Sequence, residues 1–124
     1  MIISKHKFSR TLRDLVAKAG GVVNLSFAGA VTTGQPVVAG QIAGVAAQDF
    51  SGVPGPVYTK GEFTLSVKGV DGSGNTAVAV GDALYYVAGD TPPISKKTSG
   101  VLFGYALSPV EAGATATNAR VLLK

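Results

Sequence analysis

Few residues in this 124-residue chain have the types and spacing that chemistry requires. There is no cysteine, which excludes a thiol nucleophile, a Cys-based metal site and a disulfide scaffold. The single histidine, His6, stands between Lys5 and Lys7 with no carboxylate nearby, which suits a solvated side chain better than a catalytic base. Ser4-Lys5-His6-Lys7 has S-x-x-K spacing, but it lies near the terminus, where a nucleophile is not preorganised. The acidic residues Asp14, Asp49, Glu62, Asp71, Asp82, Asp90 and Glu111 are scattered, mostly in turns, without the pairing a hydrolase uses. Gly72-Ser73-Gly74-Asn75-Thr76-Ala77 fits G-x-G-x-x-A. A strand-like Ala77-Val78-Ala79-Val80 follows it, where a dinucleotide site needs a helix N-terminus. Asp71, Ser73, Asn75 and Asp82 take calcium-loop spacing, but Thr76 stands where that loop requires glycine. A hairpin turn explains the segment better. No catalytic residue, cofactor or metal ligand is expected.

Charge is placed unevenly. Residues 1–18 carry Lys5, Lys7, Arg10, Arg13 and Lys18 against Asp14 alone, whereas six basic and six acidic residues balance over 19–124, so the net +4 belongs to the front. A basic segment seeks an anionic partner, either a polyanion or an acidic protein surface. Its charges recur too often for a secretory signal, and its likeness to a mitochondrial transit peptide is of a kind that short stretches show by accident. The uncharged run 19–48 is broken by glycine, proline and amide residues, so no membrane span is expected.

Only one stretch has helical period. Phe8, Leu12, Leu15, Val16 and Ala19 fall on one face, with Ser9 as a candidate cap and Gly20-Gly21 as a stop. An amphipathic helix that closes the domain and an arm that orders only on a partner both fit it. From Val22 onward the texture is β. Strands are expected over 22–27, 36–39, 41–47, 56–60, 62–68, 76–80, 83–88, 101–107 and 119–124, separated by turns such as Thr33-Gly34 and Gly89-Asp90-Thr91-Pro92-Pro93. Phe63, Leu65 and Val67 alternate onto one face. The expectation is an all-β protein, a compact β-sandwich or barrel (jelly-roll-like). Residues 1–21 would form a short N-terminal helix or extended arm, and 22–124 a single β-domain. An internal echo accompanies this: Gly40-Gln41-Ile42-Ala43-Gly44-Val45-Ala46 and Gly100-Val101-Leu102-Phe103-Gly104-Tyr105-Ala106 share G-x-(I/L)-x-G-x-A. Two similar hairpins in related positions are expected, since glycines inside strands allow close backbone approach.

These residues also carry a resemblance. Val31-Thr32-Thr33-Gly34-Gln35-Pro36-Val37-Val38-Ala39-Gly40, Ile42-Ala43-Gly44-Val45-Ala46, Gly61-Glu62-Phe63-Thr64-Leu65, Val80-Gly81-Asp82-Ala83-Leu84-Tyr85-Tyr86, Gly104-Tyr105-Ala106-Leu107 and Ala119-Arg120-Val121-Leu122-Leu123 follow in order. Over about 22–124 the chain resembles the small capsid decoration (cement) proteins of tailed bacteriophages. The resemblance implies a β-sandwich or jelly-roll-like domain that binds the outside of an assembled head as a homo-oligomer, with the major capsid protein as partner. It implies a protein of the virion exterior, made in the host cytoplasm, with no catalytic residues. Residues 1–21 do not match the family's usual short start.

Two sets of contact residues are expected on this footing. Lys5, Lys7, Arg10 and Arg13, over the apolar anchors Phe8, Leu12 and Leu15, would touch the acidic shell. Tyr58, Tyr85, Tyr86 and Tyr105 would serve self-association as a dimer or trimer, because aromatics with a polar tip favour interfaces. The alternative is a nucleic-acid-binding β-barrel whose basic N-terminal arm contacts phosphates. That reading is weaker, because few basic residues interleave with the tyrosines.

Overall fold

A computed structural model of the chain describes residues 21–124, which form ten strands and no helix. The strands are β1 (Val22–Leu25), β2 (Pro36–Ala39), β3 (Ile42–Ala46), β4 (Gly55–Tyr58), β5 (Gly61–Asp71), β6 (Gly74–Asn75), β7 (Ala83–Tyr86), β8 (Ile94–Ser95), β9 (Val101–Ala106) and β10 (Gly113–Leu123). They make two packed sheets, a small one ordered β1-β4-β3-β2 and a large one ordered β10-β9-β7-β8-β5-β6. β10 also pairs with β5, so the large sheet closes on itself through β5, β10, β9, β7 and β8. The all-β expectation holds, and it takes the form of a small barrel with a sheet packed against it. The helical stripe Phe8–Ala19 lies outside the described residues.

The echo in the sequence is the trace of a whole repeated unit. Order β1-β4-β3-β2 recurs in the large sheet as β5-β10-β9-β7, with every pairing antiparallel. Registers coincide: Val37 lies opposite Gly44 as Leu84 lies opposite Gly104, and Ala46 opposite Val57 as Ala106 opposite Val121. So do the turns. Gly34 N–H donates to the Ala46 carbonyl at 2.8 Å, and Gly81 N–H to the Ala106 carbonyl at 2.7 Å. The Gln35 side-chain oxygen accepts the Thr32 N–H at 3.1 Å, and the Asp82 carboxylate accepts the Ala79 N–H at 2.8 Å. Even the isolated bridges Val31–Phe50 and Val78–Val110 correspond.

The halves differ chiefly between their second and third strands. In the first half the chain turns back directly from Ala39 to Ile42. In the second, residues 87–100 intervene and carry β8, which pairs antiparallel with β7 and parallel with β5. Ile94 is fully buried there, in one cluster with Val67, Val78 and Leu84. Each such side chain contributes about 1.5–3 kcal/mol of burial. Val45 of β3 joins this cluster and ties the small sheet to the barrel. On the other face of the small sheet, Val31, Val37, Ala46 and Val57 form a second cluster with Leu25, Phe27 and Phe50.

Three strand expectations need correction. Residues 76–80 are not a strand; only Val78 bridges, because the Asp82 carboxylate takes the Ala79 N–H and turns the chain. Ile94–Ser95 pairs although it follows Pro92-Pro93, which read as a turn; proline lacks the donor, so pairing starts only after it. β10 begins at Gly113 rather than 119, its exposed front half joined to β5 across a register shift between Gly113 and Thr117. The alternation of Phe63, Leu65 and Val67 is present, but burial then continues through Lys68, Gly69 and Val70. Lys68 Nζ reaches the Asp90 carboxylate at 3.3 Å, and Lys97 Nζ approaches the same oxygen at 2.9 Å. These ion pairs anchor the β8 segment at both of its ends.

Gly44 and Gly104 mark the tightest equivalent points. A Cβ on Gly44 would enter the Val57 side chain and come 2.6 Å from the Tyr58 carbonyl oxygen; one on Gly104 would meet the Leu122 carbonyl oxygen at 2.5 Å. Gly44→Ala and Gly104→Ala are each expected to lower stability by about 1–3 kcal/mol in urea denaturation. Gly72→Ala, in open space, is expected to change it little. Equal midpoints for the three variants would contradict the packing described. Acid provides a second check. The hydrogen bond from Lys97, with a further one from Lys68, holds the Asp90 carboxyl below its ordinary value. Its contribution is therefore present above the unfolded-state pKa and is lost as pH falls through the lower folded-state value. Asp90→Asn is expected to flatten the loss of stability below about pH 4, as measured by thermal melts across pH.

Candidate interaction surface

The repeat creates a groove at the junction of its two halves. Its volume is about 490 Å³, and its walls come from β3, from β9 and from the residues that follow β4 and β10. Ile42 and Leu102, which hold the same position in the two echoes, are 48% and 47% exposed and both line it. Lys60 and Lys124, each three residues beyond the equivalent Val57 and Val121, line it as well. The groove thus takes an aliphatic side chain and a lysine from each of the two halves. Its other lining residues are Gln41, Ala43, Thr59, Phe103, Gly104 and Tyr105, with no acidic side chain among them.

Strand geometry explains why these aliphatic groups face outward. Gly44 and Gly104 let a neighbouring strand close in on one side of β3 and β9. Val45 and Phe103 point into the core. Ile42 and Leu102 stand at the strand ends, beyond the reach of either cluster. Such a surface can bury apolar side chains and receive a carboxylate. The Thr59 hydroxyl in its lining donates to the Gly21 carbonyl at 2.9 Å, and no group of three or more His, Cys, Asp or Glu among the described residues could hold a metal.

The four tyrosines singled out by sequence are dispersed. Tyr105 lines the groove, with Lys124 Nζ 5.3 Å from its ring centroid, a cation–π distance. Tyr86 is half-buried, stacks on Phe103 at 6.3 Å and lines not the groove but two smaller pockets that it shares with Val38. Tyr58 is exposed and packs on Phe63 at 5.7 Å. Tyr85 is half-buried in β7 and takes no part in the groove. Lys5, Lys7, Phe8, Arg10, Leu12, Arg13 and Leu15 lie outside the described residues. Sequence reasoning missed Ile42, Leu102, Lys60 and Lys124. The signal was available for the first two, which occupy the variable aliphatic position of the echo.

A protein-family model described as phage cement protein matches residues 17–123. The match takes in every described strand and leaves out residues 1–16, where most of the basic excess lies. No curated protein and no solved structure matches the chain.

Proposed function

The chain belongs to the phage cement protein family, and on that premise we propose that it docks on the outer surface of an assembled phage head and decorates or stabilises it. The family is structural, and the chain is accordingly a structural component of the virion. The observation that carries the docking proposal is the groove, which brings together Ile42 with Leu102 and Lys60 with Lys124. It supplies contact area and positive charge to an acidic, partly apolar surface, and the major capsid protein is the partner with that role. Burying each aliphatic side chain would contribute about 1.5–3 kcal/mol, and each exposed ion pair about 0.2–1 kcal/mol.

The basic residues Lys5, Lys7, Arg10 and Arg13, with Phe8, Leu12 and Leu15, extend the same contact in this proposal. Self-association as a dimer or trimer belongs to it too. A symmetric shell presents the same site many times, and an oligomer that engages several sites gains effective concentration without stronger single contacts.

Co-sedimentation with DNA-free heads and with naked DNA tests the reading. The protein is expected to follow heads. If it followed DNA alone, with affinity falling steeply as salt rises, a phosphate-binding β-barrel would replace it. The double variant Ile42→Asp, Leu102→Asp is expected to keep its strand spectrum and to bind heads at least ~10-fold more weakly. Reversing Lys5, Lys7 and Arg10 to Glu is expected to weaken binding more at low salt than at high salt, where screening has already reduced the attraction. Deleting residues 2–18 should leave a folded body that binds heads poorly; undiminished binding would put the whole contact on the β-domain.

A further inference from the structure

Residues 21–124 carry six cationic side chains, and four of them meet a carboxylate. Lys68 and Lys97 reach Asp90, Lys96 reaches Asp82 at 3.0 Å, and Arg120 reaches Glu62 at 3.3 Å. The other two, Lys60 and Lys124, have no carboxylate partner among the described residues, and both line the groove. Each is held from behind. A Cβ added to Gly21 would lie 2.7 Å from the Lys60 Cβ, so the stem of Lys60 packs on that backbone. The Lys124 ammonium sits 5.3 Å from the centre of the Tyr105 ring. A cation held in this way loses little side-chain freedom when an anion reaches it.

One wall of the groove also offers open backbone. Ala46 N–H donates to the Gln35 carbonyl ahead of β2, and Ala47 N–H donates to the Pro56 carbonyl of β4, both at 3.0 Å. Antiparallel bonds recur at every second residue, so Gly44 faces β2, whereas Val45 and Ala43 face the side of β4. Val45 has Tyr58 opposite it, and there the ladder between β3 and β4 stops. The chain beyond Tyr58 turns to Gly21, whose carbonyl takes both the N–H and the hydroxyl of Thr59. Lys60 therefore never reaches the place opposite Ala43. Ala43 lines the groove with a main-chain donor and acceptor that β4 leaves unmatched.

We infer that the groove takes an extended acidic segment of the head surface, an inference that rests on the groove being the docking face. Two carboxylates of the segment meet Lys60 and Lys124, the two cations without a partner. An aliphatic side chain between them lies on Ile42 and Leu102, which are half exposed. One residue of the segment exchanges main-chain hydrogen bonds with Ala43 and so extends the small sheet where β4 leaves it. The three features together select the occupant. A flat acidic surface offers carboxylates but no strand to pair with Ala43. A phosphodiester chain offers negative charge, but its backbone has no donor for the Ala43 carbonyl and no aliphatic group for Ile42 and Leu102.

Heads carrying the full chain provide the test. A carbodiimide joins an ammonium directly to a carboxylate with loss of water, and mass spectrometry of the digest locates the join. Lys60 and Lys124 are expected to be joined to carboxylates within about six residues of each other in one head protein, as an extended chain rising ~3.3 Å per residue allows. The Ala43 amide is expected to exchange at least ~10-fold more slowly on heads than in the free protein, with the Gly44 amide, which faces β2, unchanged. Replacing both lysines, Lys60→Gln with Lys124→Gln, is expected to weaken head binding at least ~10-fold at low salt and less at high salt. Lys60→Arg with Lys124→Arg is expected to keep it. Suppose the protein binds heads but these lysines form no such joins, or join carboxylates far apart in the head protein. The inference is then overturned while the docking proposal stands. An Ala43 amide as fast on heads as in the free chain, or undiminished binding of the Gln variant, has the same consequence. Failure to bind heads at all overturns the docking proposal, and this inference with it.

Discussion

The architecture depends on a two-residue strand. Ile94–Ser95 bonds to β7 on one side and β5 on the other, and this bridge turns an open sheet into a ring. Without it β5 and β7 would be edges, and Val67, Leu84 and Val78 would face the gap left by Ile94. Two residues cannot hold such a position by their own ladder. Their segment is fastened by buried hydrophobic contact at Ile94 and by Asp90, which draws Lys68 and Lys97 to one carboxylate. The pairing of Lys68 matters because a buried ammonium without a partner would be strongly unfavourable.

The repeated unit accounts for the rest of the surface. Each half brings its third strand against its fourth over a glycine, and each leaves an aliphatic residue at the start of the third strand and a lysine after the fourth. Where β3 meets β9, these four side chains converge. Neither half alone makes the groove, because each contributes one wall. The groove thus arises from the repeated unit, each half supplying one aliphatic side chain and one lysine.

Much of this was legible in the sequence. The all-β class followed from short β-prone runs between turn residues, and β2, β3, β7 and β9 lie within or close to the expected spans. The echo pointed to related hairpins because glycine at the same place in two strands has the same physical cause, the close approach of a neighbouring chain. The absence of cysteine, the lone histidine and the uneven charge were legible without any coordinates.

Tertiary structure alone decided what depends on distant partners. That Ile94–Ser95 is a strand cannot be read locally, since Pro92-Pro93 before it signals a turn and its pairing partners lie far away in the chain. That Lys68 is buried depends on Asp90, which reads as an ordinary turn residue. The groove likewise needs β3 and β9 side by side before Ile42 and Leu102 share a surface. Local pattern determines which residues can form strands and turns, because the backbone preferences and the side-chain alternation are properties of neighbours in sequence. Which edges are closed, and which side chains meet, is settled by contacts between residues far apart, and these appear only once the chain has folded.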